Sequence, residues 1–284
     1  MGHRGVNCIR ERNGIGGGKM LHHKILGEGK PVVMLHGVTL DHRHMVEILE
    51  PAFEQLEGWQ RIYLDLPGHG KSPPQEKINS QDDILNSVEG FIADQLGDKP
   101  FALVGLSRGS YISRGIIHRQ TDRVRGAALI VPGGNPGSPN PLPKHEILEP
   151  DPTIRSELPE DEIWTFENFA VVQSRNIMEK RRKILKPAMQ LHDKAQEARV
   201  KEWFTFSFAE EEEAMIFGKP SLLIAGRQDW MSGYLDSVDL MHRYPHATLA
   251  VLDAAGHGLA FERPELFTAL MKDWLHRLAV DWAD

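Results

Sequence analysis

A serine stands between two glycines in the stretch Gly105-Leu106-Ser107-Arg108-Gly109, directly after an apolar run that begins at Phe101. The residues that follow, from 111 to 117, form a helix-like pattern. A strand, a tight turn and a helix would lift the Ser107 hydroxyl to the edge of a sheet, where it can attack a carbonyl carbon. The pattern therefore predicts a nucleophilic serine.

A serine hydroxyl is a weak nucleophile at neutral pH, so it needs a base within reach and a group that orients the base. Asp229 and His257 fit these roles, because each follows an apolar, strand-like run. Parallel strands bring such residues to one edge of a sheet, and the chain order serine, aspartate, histidine supports the assignment. Asp253 is an alternative acid, whereas the loop after residues 127–131 offers no carboxylate.

The elements that must position these residues alternate along the chain. One helix is predicted from Ser80 to Leu96, with Ser80 and Asp83 as a capping box, and another begins at Pro264. Strands separated by helices predict an α/β fold with a mainly parallel sheet that is covered on both faces. The predicted strands are residues 31–36, 61–65, 101–106, 127–131, 221–225 and 247–252.

The alternation stops between residues 134 and 218, where a loop rich in proline and glycine precedes long helical patterns. We predict a helical cap, or lid, at 134–218 and a core made of 20–133 and 219–284. Residues 1–19 are rich in glycine and poor in apolar side chains, so a flexible tail is predicted there. Cys8, the only cysteine of the chain, lies in this tail and is interpreted as an incidental thiol.

Taken together, these features resemble the α/β-hydrolase fold superfamily, and in particular its cap-bearing serine hydrolases, which include esterases, C–C hydrolases and haloperoxidase-like enzymes. The resemblance extends from Lys24 to Leu278 and includes the turn at 65–72, the pair Gly256-His257 and the pair Pro264-Glu265. It implies an eight-stranded type of sheet, mainly parallel, with helices on both faces and the cap inserted after the sixth strand.

The resemblance also implies an oxyanion hole made of two backbone N–H groups. One belongs to Val38, which follows His36-Gly37 at the end of a predicted strand, and the other belongs to Arg108, which follows the serine. The turn from Asp65 to Ser72 is structural in such enzymes. Arg108 departs from the apolar residue common in the family, so its side chain either binds a substrate carboxylate or points away from the pocket.

The expected function is a serine hydrolase that forms an acyl-enzyme and acts on small or medium carboxylic esters, without a cofactor. Relatives with the same triad suggest alternatives: C–C bond hydrolysis of ring-fission products, proline iminopeptidase activity or acyl transfer. A non-catalytic ligand receptor on the same fold is an alternative of another class. The candidate pocket residues are His36, Gly37, Trp164, Phe169 and Trp230.

The composition limits the partners. The chain has a net charge of −7 and no concentrated basic stripe, which disfavours nucleic acid. It has neither a long apolar run nor the layout of a secretory signal, so we expect a cytoplasmic protein with no membrane partner. The expected partner is a small acyl substrate, and a homodimer is the default oligomer.

Three motifs that resemble binding sites are rejected from their context. His22, His23, His42 and His44, with Asp41, lack the spacing of metal ligands, so no metal site is predicted. Residues 14–16 begin like a dinucleotide-binding loop but follow no predicted strand, and residues 70–72 end like a phosphate loop without its first glycine.

Overall fold

The computed structural model describes residues 10–11, 21–133, 138–202, 205–209 and 214–282. Its sheet has eight strands in the order β1-β2-β4-β3-β5-β6-β7-β8, of which β1 and β2 run antiparallel to their neighbours and the others pair in parallel. The strands are β1 Arg10–Glu11, β2 His23–Leu26, β3 Lys30–Leu35, β4 Trp59–Leu64, β5 Phe101–Leu106, β6 Val124–Ile130, β7 Ser221–Gly226 and β8 Ala247–Leu252.

Helices lie between most strands. They are α1 His42–Phe53, α2 Gln81–Leu96, α3 Arg108–Arg119, α4 Pro152–Arg155, α5 Glu160–Phe169, α6 Arg175–Lys180, α7 Lys186–Leu191, α8 Lys194–Glu202, α9 Leu235–Leu240, α10 Leu259–Glu262 and α11 Pro264–Asp281. A π-helical turn, Arg181–Leu185, joins α6 to α7. The α/β fold and the mainly parallel sheet predicted from the sequence are confirmed.

The sheet is covered on both faces, and alternate residues of β3 show how. Val32 and Met34 belong to one hydrophobic cluster, with side chains of α1 and α11, while Val33 and Leu35 belong to a second, with side chains of α2 and α3. Successive side chains of a strand point to opposite faces, so β3 contributes to both clusters. All six residues of β5 are buried, which places the strand that leads to Ser107 in the centre of the core.

Local signals in the sequence account for the start of α2. Ser80 caps the helix by accepting from the Asp83 N–H, and the Asp83 carboxylate accepts from the Ser80 N–H, both at 3.1 Å. This reciprocal pair is the predicted capping box, and it satisfies N–H groups that the first turn would otherwise leave without acceptors.

Helices α4 to α8 and the π-helical turn occupy the long connection between β6 and β7, where a cap was predicted. The division into core and cap domains stays a proposal. Of the predicted tail at 1–19, only Arg10–Glu11 is described; it forms β1 and pairs with β2. Cys8 and the rest of that tail lie outside the described residues. Within the described ranges, no helix combines the length and apolar character needed to cross a membrane.

Candidate active site

Ser107 occupies a strained turn between β5 and α3. Its φ is +53°, in a region that residues with side chains rarely adopt. Two glycines permit this turn: a Cβ on Gly105 would collide with the backbone of Gly109, and one on Gly109 would collide with the backbone of Leu35. The Ser107 N–H donates to the Ile130 carbonyl at 2.9 Å, which ties the turn to β6. The turn places Ser107 in the wall of a cavity at the carboxyl edge of the sheet.

His257 and Asp229 meet at the same edge. Nδ1 of His257 lies 2.9 Å from Oδ2 of Asp229, whose residue is fully buried. The other oxygen, Oδ1, accepts from the backbone N–H groups of Met231 at 3.0 Å and Ser232 at 3.1 Å. These bonds hold the carboxylate towards the imidazole. Asp253, the alternative acid, is exposed and accepts from Gln228 at 2.8 Å.

The electrostatic surroundings favour a charged imidazole at His257. Burial alone would lower the pKa of His257, but the Asp229 charge and hydrogen bond, with a further contribution from Glu262, raise the pKa above its usual value. Because Nδ1 faces Asp229, Nε2 is the nitrogen available for proton transfer. His257 and Ser107 line the same cavity.

The cavity has a volume of about 570 Å³. Its wall combines the loop after β3, the turn at Ser107, the helices after β6 and the loop after β8, and its side chains are mostly apolar. Those include Leu40, Leu106, Ile177, Leu185, Met189 and Phe261. A cavity of this size and character suits a small or medium organic molecule.

The two predicted oxyanion donors belong to residues of the same wall. Val38 and Arg108 both line the cavity. Arg108 is the first residue of α3, so its N–H has no acceptor one turn earlier in the helix. The loop at Gly37 reaches the turn closely: a Cβ on Gly37 would lie 2.8 Å from Leu106 Cδ2 and 3.3 Å from Ser107 Cβ. Val38 follows Gly37 in this loop, and an oxyanion hole made of the two N–H groups stays a prediction.

Of the predicted pocket residues, Gly37, Trp164 and Phe169 line the cavity. His36 and Trp230 are not among its described lining residues, so their place in the pocket stays a prediction.

The side chains of His36 and Trp230 both have hydrogen-bond partners within the protein. Nδ1 of His36 lies 2.7 Å from the Gly37 carbonyl, while Nε2 accepts from the Leu66 N–H at 2.9 Å. Burial lowers the pKa of His36 despite the nearby Asp65, so the ring is neutral and structural. The Trp230 indole donates to the Asn168 carbonyl at 2.8 Å.

The Arg108 guanidinium is engaged by a residue of α8. Its two terminal nitrogens lie 2.6 and 2.7 Å from the carboxylate oxygens of Glu197, and both side chains are buried. A substrate carboxylate would have to displace Glu197 to reach this cation. The structure therefore joins the residue after the serine to α8.

Arg181 and Glu262 are charged cavity residues that were not identified from the sequence. Burial lowers the pKa of Arg181, although Glu162 and Glu262 attract its charge. Both carboxylates have other partners: Glu162 bonds Arg182 and Lys186, and Glu262 accepts backbone N–H groups. The π-helical turn that carries Arg181 leaves no recognisable signal in the sequence, because its extra residue per turn depends on packing.

His22, His42 and Asp65 form a buried group whose ligand atoms lie within 4.8 Å of one another. The Asp65 oxygens accept from Nδ1 of His22 at 2.9 Å and of His42 at 2.8 Å, and from the N–H groups of His42 at 2.7 Å and Lys71 at 3.0 Å. Four donors use the acceptor capacity of one carboxylate. The group fits a hydrogen-bonded support for the turn at 65–72 better than a metal site.

The chain is similar in sequence to a known family and to individual hydrolases. Residues 30–185 match the model of the alpha/beta hydrolase fold family. The chain is 28% identical to Protein ABHD14A of Danio rerio over 127 residues, less than half of either chain: 45% of this one and 46% of the relative. It is 25% identical over 275 residues to a 2-hydroxy-6-oxononadienedioate/2-hydroxy-6-oxononatrienedioate hydrolase of Pseudomonas putida, covering 90% of this chain and 91% of the relative.

Among solved structures, an alpha/beta superfamily hydrolase from Oenococcus oeni PSU-1 superposes with a TM-score of 0.84. The two chains are 24% identical, and the match covers 92% of this chain and 97% of the other. At this level of identity the comparison supports the fold alone.

Proposed function

The chain belongs to the alpha/beta hydrolase fold family, and from that premise we propose that it is a serine hydrolase in which Ser107, His257 and Asp229 form a catalytic triad. The observation that carries the proposal is the position of His257. Its Nδ1 lies 2.9 Å from Oδ2 of the buried Asp229, and the residue shares a cavity wall with Ser107, whose backbone is strained. This arrangement supplies an oriented base and a half-buried serine in the wall of one cavity.

In the proposed reaction, Nε2 of His257 takes the proton of the Ser107 hydroxyl as its oxygen bonds to the acyl carbon. The N–H groups of Val38 and Arg108 stabilise the oxyanion that forms, each by about 3 kcal/mol. The imidazolium, stabilised by Asp229, then gives its proton to the leaving group. A water molecule activated by His257 cleaves the acyl-enzyme and releases the acid.

We propose a carboxylic ester as substrate, of small or medium size and with an anionic group. The cavity volume of about 570 Å³ and its apolar wall support the size. Arg181 supports the anionic group, because it lines the cavity while both carboxylates that attract it have other partners. A guanidinium in that position can bind a substrate carboxylate through two parallel hydrogen bonds.

Hydrolysis of a carbon–carbon bond beside a ketone is the second candidate. The observation that favours it is the similarity, along 90% of the chain, to a hydrolase of 2-hydroxy-6-oxononadienedioate. A compound of that name contains a ketone and two carboxylates but no ester, so its hydrolysis breaks a carbon–carbon bond. Arg181 is compatible with this substrate class too.

An active-site fluorophosphonate tests the triad, since it labels only an activated serine. Wild-type protein is expected to react, with the label on Ser107. Absence of labelling under conditions in which a control esterase reacts would instead support a non-catalytic receptor on this fold. A panel of p-nitrophenyl esters, with and without a carboxylate, run beside a vinylogous diketone and prolyl amides, then separates the substrate classes. Faster cleavage of the diketone than of every ester would favour the second candidate.

Replacing Ser107 with alanine is expected to lower kcat to less than about one thousandth of the wild-type value, because the nucleophile is lost. The thermal midpoint should stay close to that of wild type, since Ser107 is only half-buried. Ser113→Ala serves as the control: its hydroxyl bonds the Gly109 carbonyl at 2.7 Å within α3, and its activity should be retained. A Ser107→Ala variant that retains higher turnover would refute the assigned nucleophile.

A further inference from the structure

Glu262 connects the loop of His257 to the segment that precedes α6. It is the last residue of α10, it is 9% exposed, and it lines the cavity. Its Oε2 accepts from the Gly256 N–H at 2.7 Å, and its Oε1 accepts from the Val171 N–H at 2.8 Å and the Val172 N–H at 3.4 Å. One carboxylate therefore holds the residue next to His257 and two residues of the connection between β6 and β7.

Keeping this carboxylate charged would cost free energy, because the side chain is only 9% exposed. Burial raises the pKa of Glu262 above its usual value, even though the N–H groups of Gly256, Val171 and Val172 act in the opposite direction. A neutral acceptor would avoid that cost. Buried charges that face a cavity are more common at functional sites than in structural supports.

Several titratable groups on different elements act on Glu262 and His257. Asp229, after β7, bonds His257 and also raises the pKa of Glu262 by repulsion. Arg181, on the π-helical turn, is attracted by Glu262. His44, on α1, has its pKa lowered to about 3, so it is neutral at the pH of an assay. Glu262 is therefore the second carboxylate, beside Asp229, that acts on the His257 imidazolium.

We propose that Glu262 is a positioning residue for the hydrolysis: it sets the orientation of the His257 loop relative to the cap and stabilises the charged form of His257. The inference rests on the proposed function, in which His257 is the base. Asp229 holds Nδ1 of the ring itself, whereas Glu262 holds the backbone from which the ring extends. The cap thereby contributes to the geometry of the base through Val171.

Glu262→Gln removes the charge at nearly constant size, and Asp253→Asn is its matched control. Asp253 is an exposed carboxylate before the same histidine loop. It bonds Gln228 and the Ala254 backbone, whereas Glu262 bonds Gly256, the residue next to His257. If Glu262 acts on His257 through its charge, only the first variant changes the histidine. A purely structural support would change stability without changing the titration of His257.

The experiment measures the pKa of His257 by NMR titration of the imidazole, together with the pH profile of kcat/KM. In wild type the acidic limb should lie above the usual pKa of histidine, about 6.5, because activity requires the neutral ring. In Glu262→Gln both the NMR pKa and the limb should move down by about half a unit or more, since one carboxylate that favours the imidazolium is gone. Asp253→Asn should titrate like wild type. Equal His257 pKa values in Glu262→Gln and wild type would overturn the proposal.

Glu262→Asp covers the case in which the glutamine variant does not fold. It keeps the charge but shortens the side chain, so the pKa of His257 should stay raised while kcat falls more than KM changes. A lowered pKa in this variant together with unchanged kcat would also overturn the proposal. The NMR titration needs no turnover, so it tests Glu262 even if wild type neither hydrolyses the panel nor reacts with the fluorophosphonate. That last result would refute the proposed function alone.

Discussion

Ser107 and Arg181 are held at this site by different physical causes. Ser107 has a φ of +53° because Gly105 and Gly109 leave room for a close approach of backbone segments, and this strain is local and visible as a motif. Arg181 is placed by the packing of the π-helical turn. Its charge can act on a substrate only because the residue lines the cavity. The position of Ser107 could be predicted from its neighbours in the sequence, whereas the position of Arg181 could not.

Arg181→Met should raise KM for esters that carry a carboxylate by about tenfold or more, because a partly desolvated cation opposite the substrate is lost. KM for neutral esters of equal size should change little. Arg182→Met is the control, since the neighbouring Arg182 bonds Glu162 at 2.8 Å and does not line the cavity described here. The measurement is steady-state kinetics on matched pairs of p-nitrophenyl esters. Equal effects of Arg181→Met on both members of a pair would contradict carboxylate binding by Arg181.

Among the elements, the strands and helices of the core followed their sequence patterns. The strands β5 and β8 begin and end where predicted, and α2 begins at its predicted cap. The strand β2 was not predicted, since its four residues, His23–Leu26, include two polar ones and owe their extended form to antiparallel pairing with β4. Pairing between distant segments is not encoded in local preference.

The element α8 is joined to the nucleophile turn by Arg108 and Glu197, and breaking this pair should cost stability. Either Arg108→Met or Glu197→Met should lower the free energy of unfolding by about 3–5 kcal/mol, because one buried charge remains without its partner. Combining Arg108→Met with Glu197→Met should restore much of the loss, as neither charge is then buried. Denaturation in urea measures all three.

The exposed pair of Arg175 and Glu157 provides the control for that experiment. Both of its side chains are more than half exposed, at 57% and 52%, so Arg175→Met should cost much less stability than Arg108→Met. Additive losses in the doubly substituted protein would show that Arg108 and Glu197 do not act as a buried pair.

For the whole molecule, buried neutral histidines make stability depend on pH. The pKa values of His44 and His69 are lowered to about 3 by burial, and that of His36 is also lowered. In the unfolded chain these rings take up protons near pH 6.5. The unfolded state therefore binds more protons than the folded state below that pH, and acid favours unfolding.

The free energy of unfolding is expected to be highest above pH 6.5 and to fall as the pH decreases from 6.5 towards 4. His44 and His69 each contribute a slope of about 1.4 kcal/mol per pH unit in this window. His69→Gln should remove the contribution of one ring, while its amide can still donate to the Pro67 carbonyl that lies 3.0 Å from Nδ1. Urea denaturation between pH 4.5 and 7.5 measures the slope. The same slope in wild type and His69→Gln would contradict the neutral state of His69.

The sequence by itself determined the kind of fold and the identity of the candidate triad, because these depend on local patterns and on chain order. Apolar runs of strand length, glycines at a strained turn, and an acid and a histidine after later strands are all readable along the chain. The tertiary structure decided which side chains face the cavity. It brings Arg181 and Glu262 to the cavity wall and pairs Arg108 with Glu197, 89 positions away. Such contacts join segments that are distant in sequence, so they arise from packing and are not visible in any single stretch of residues.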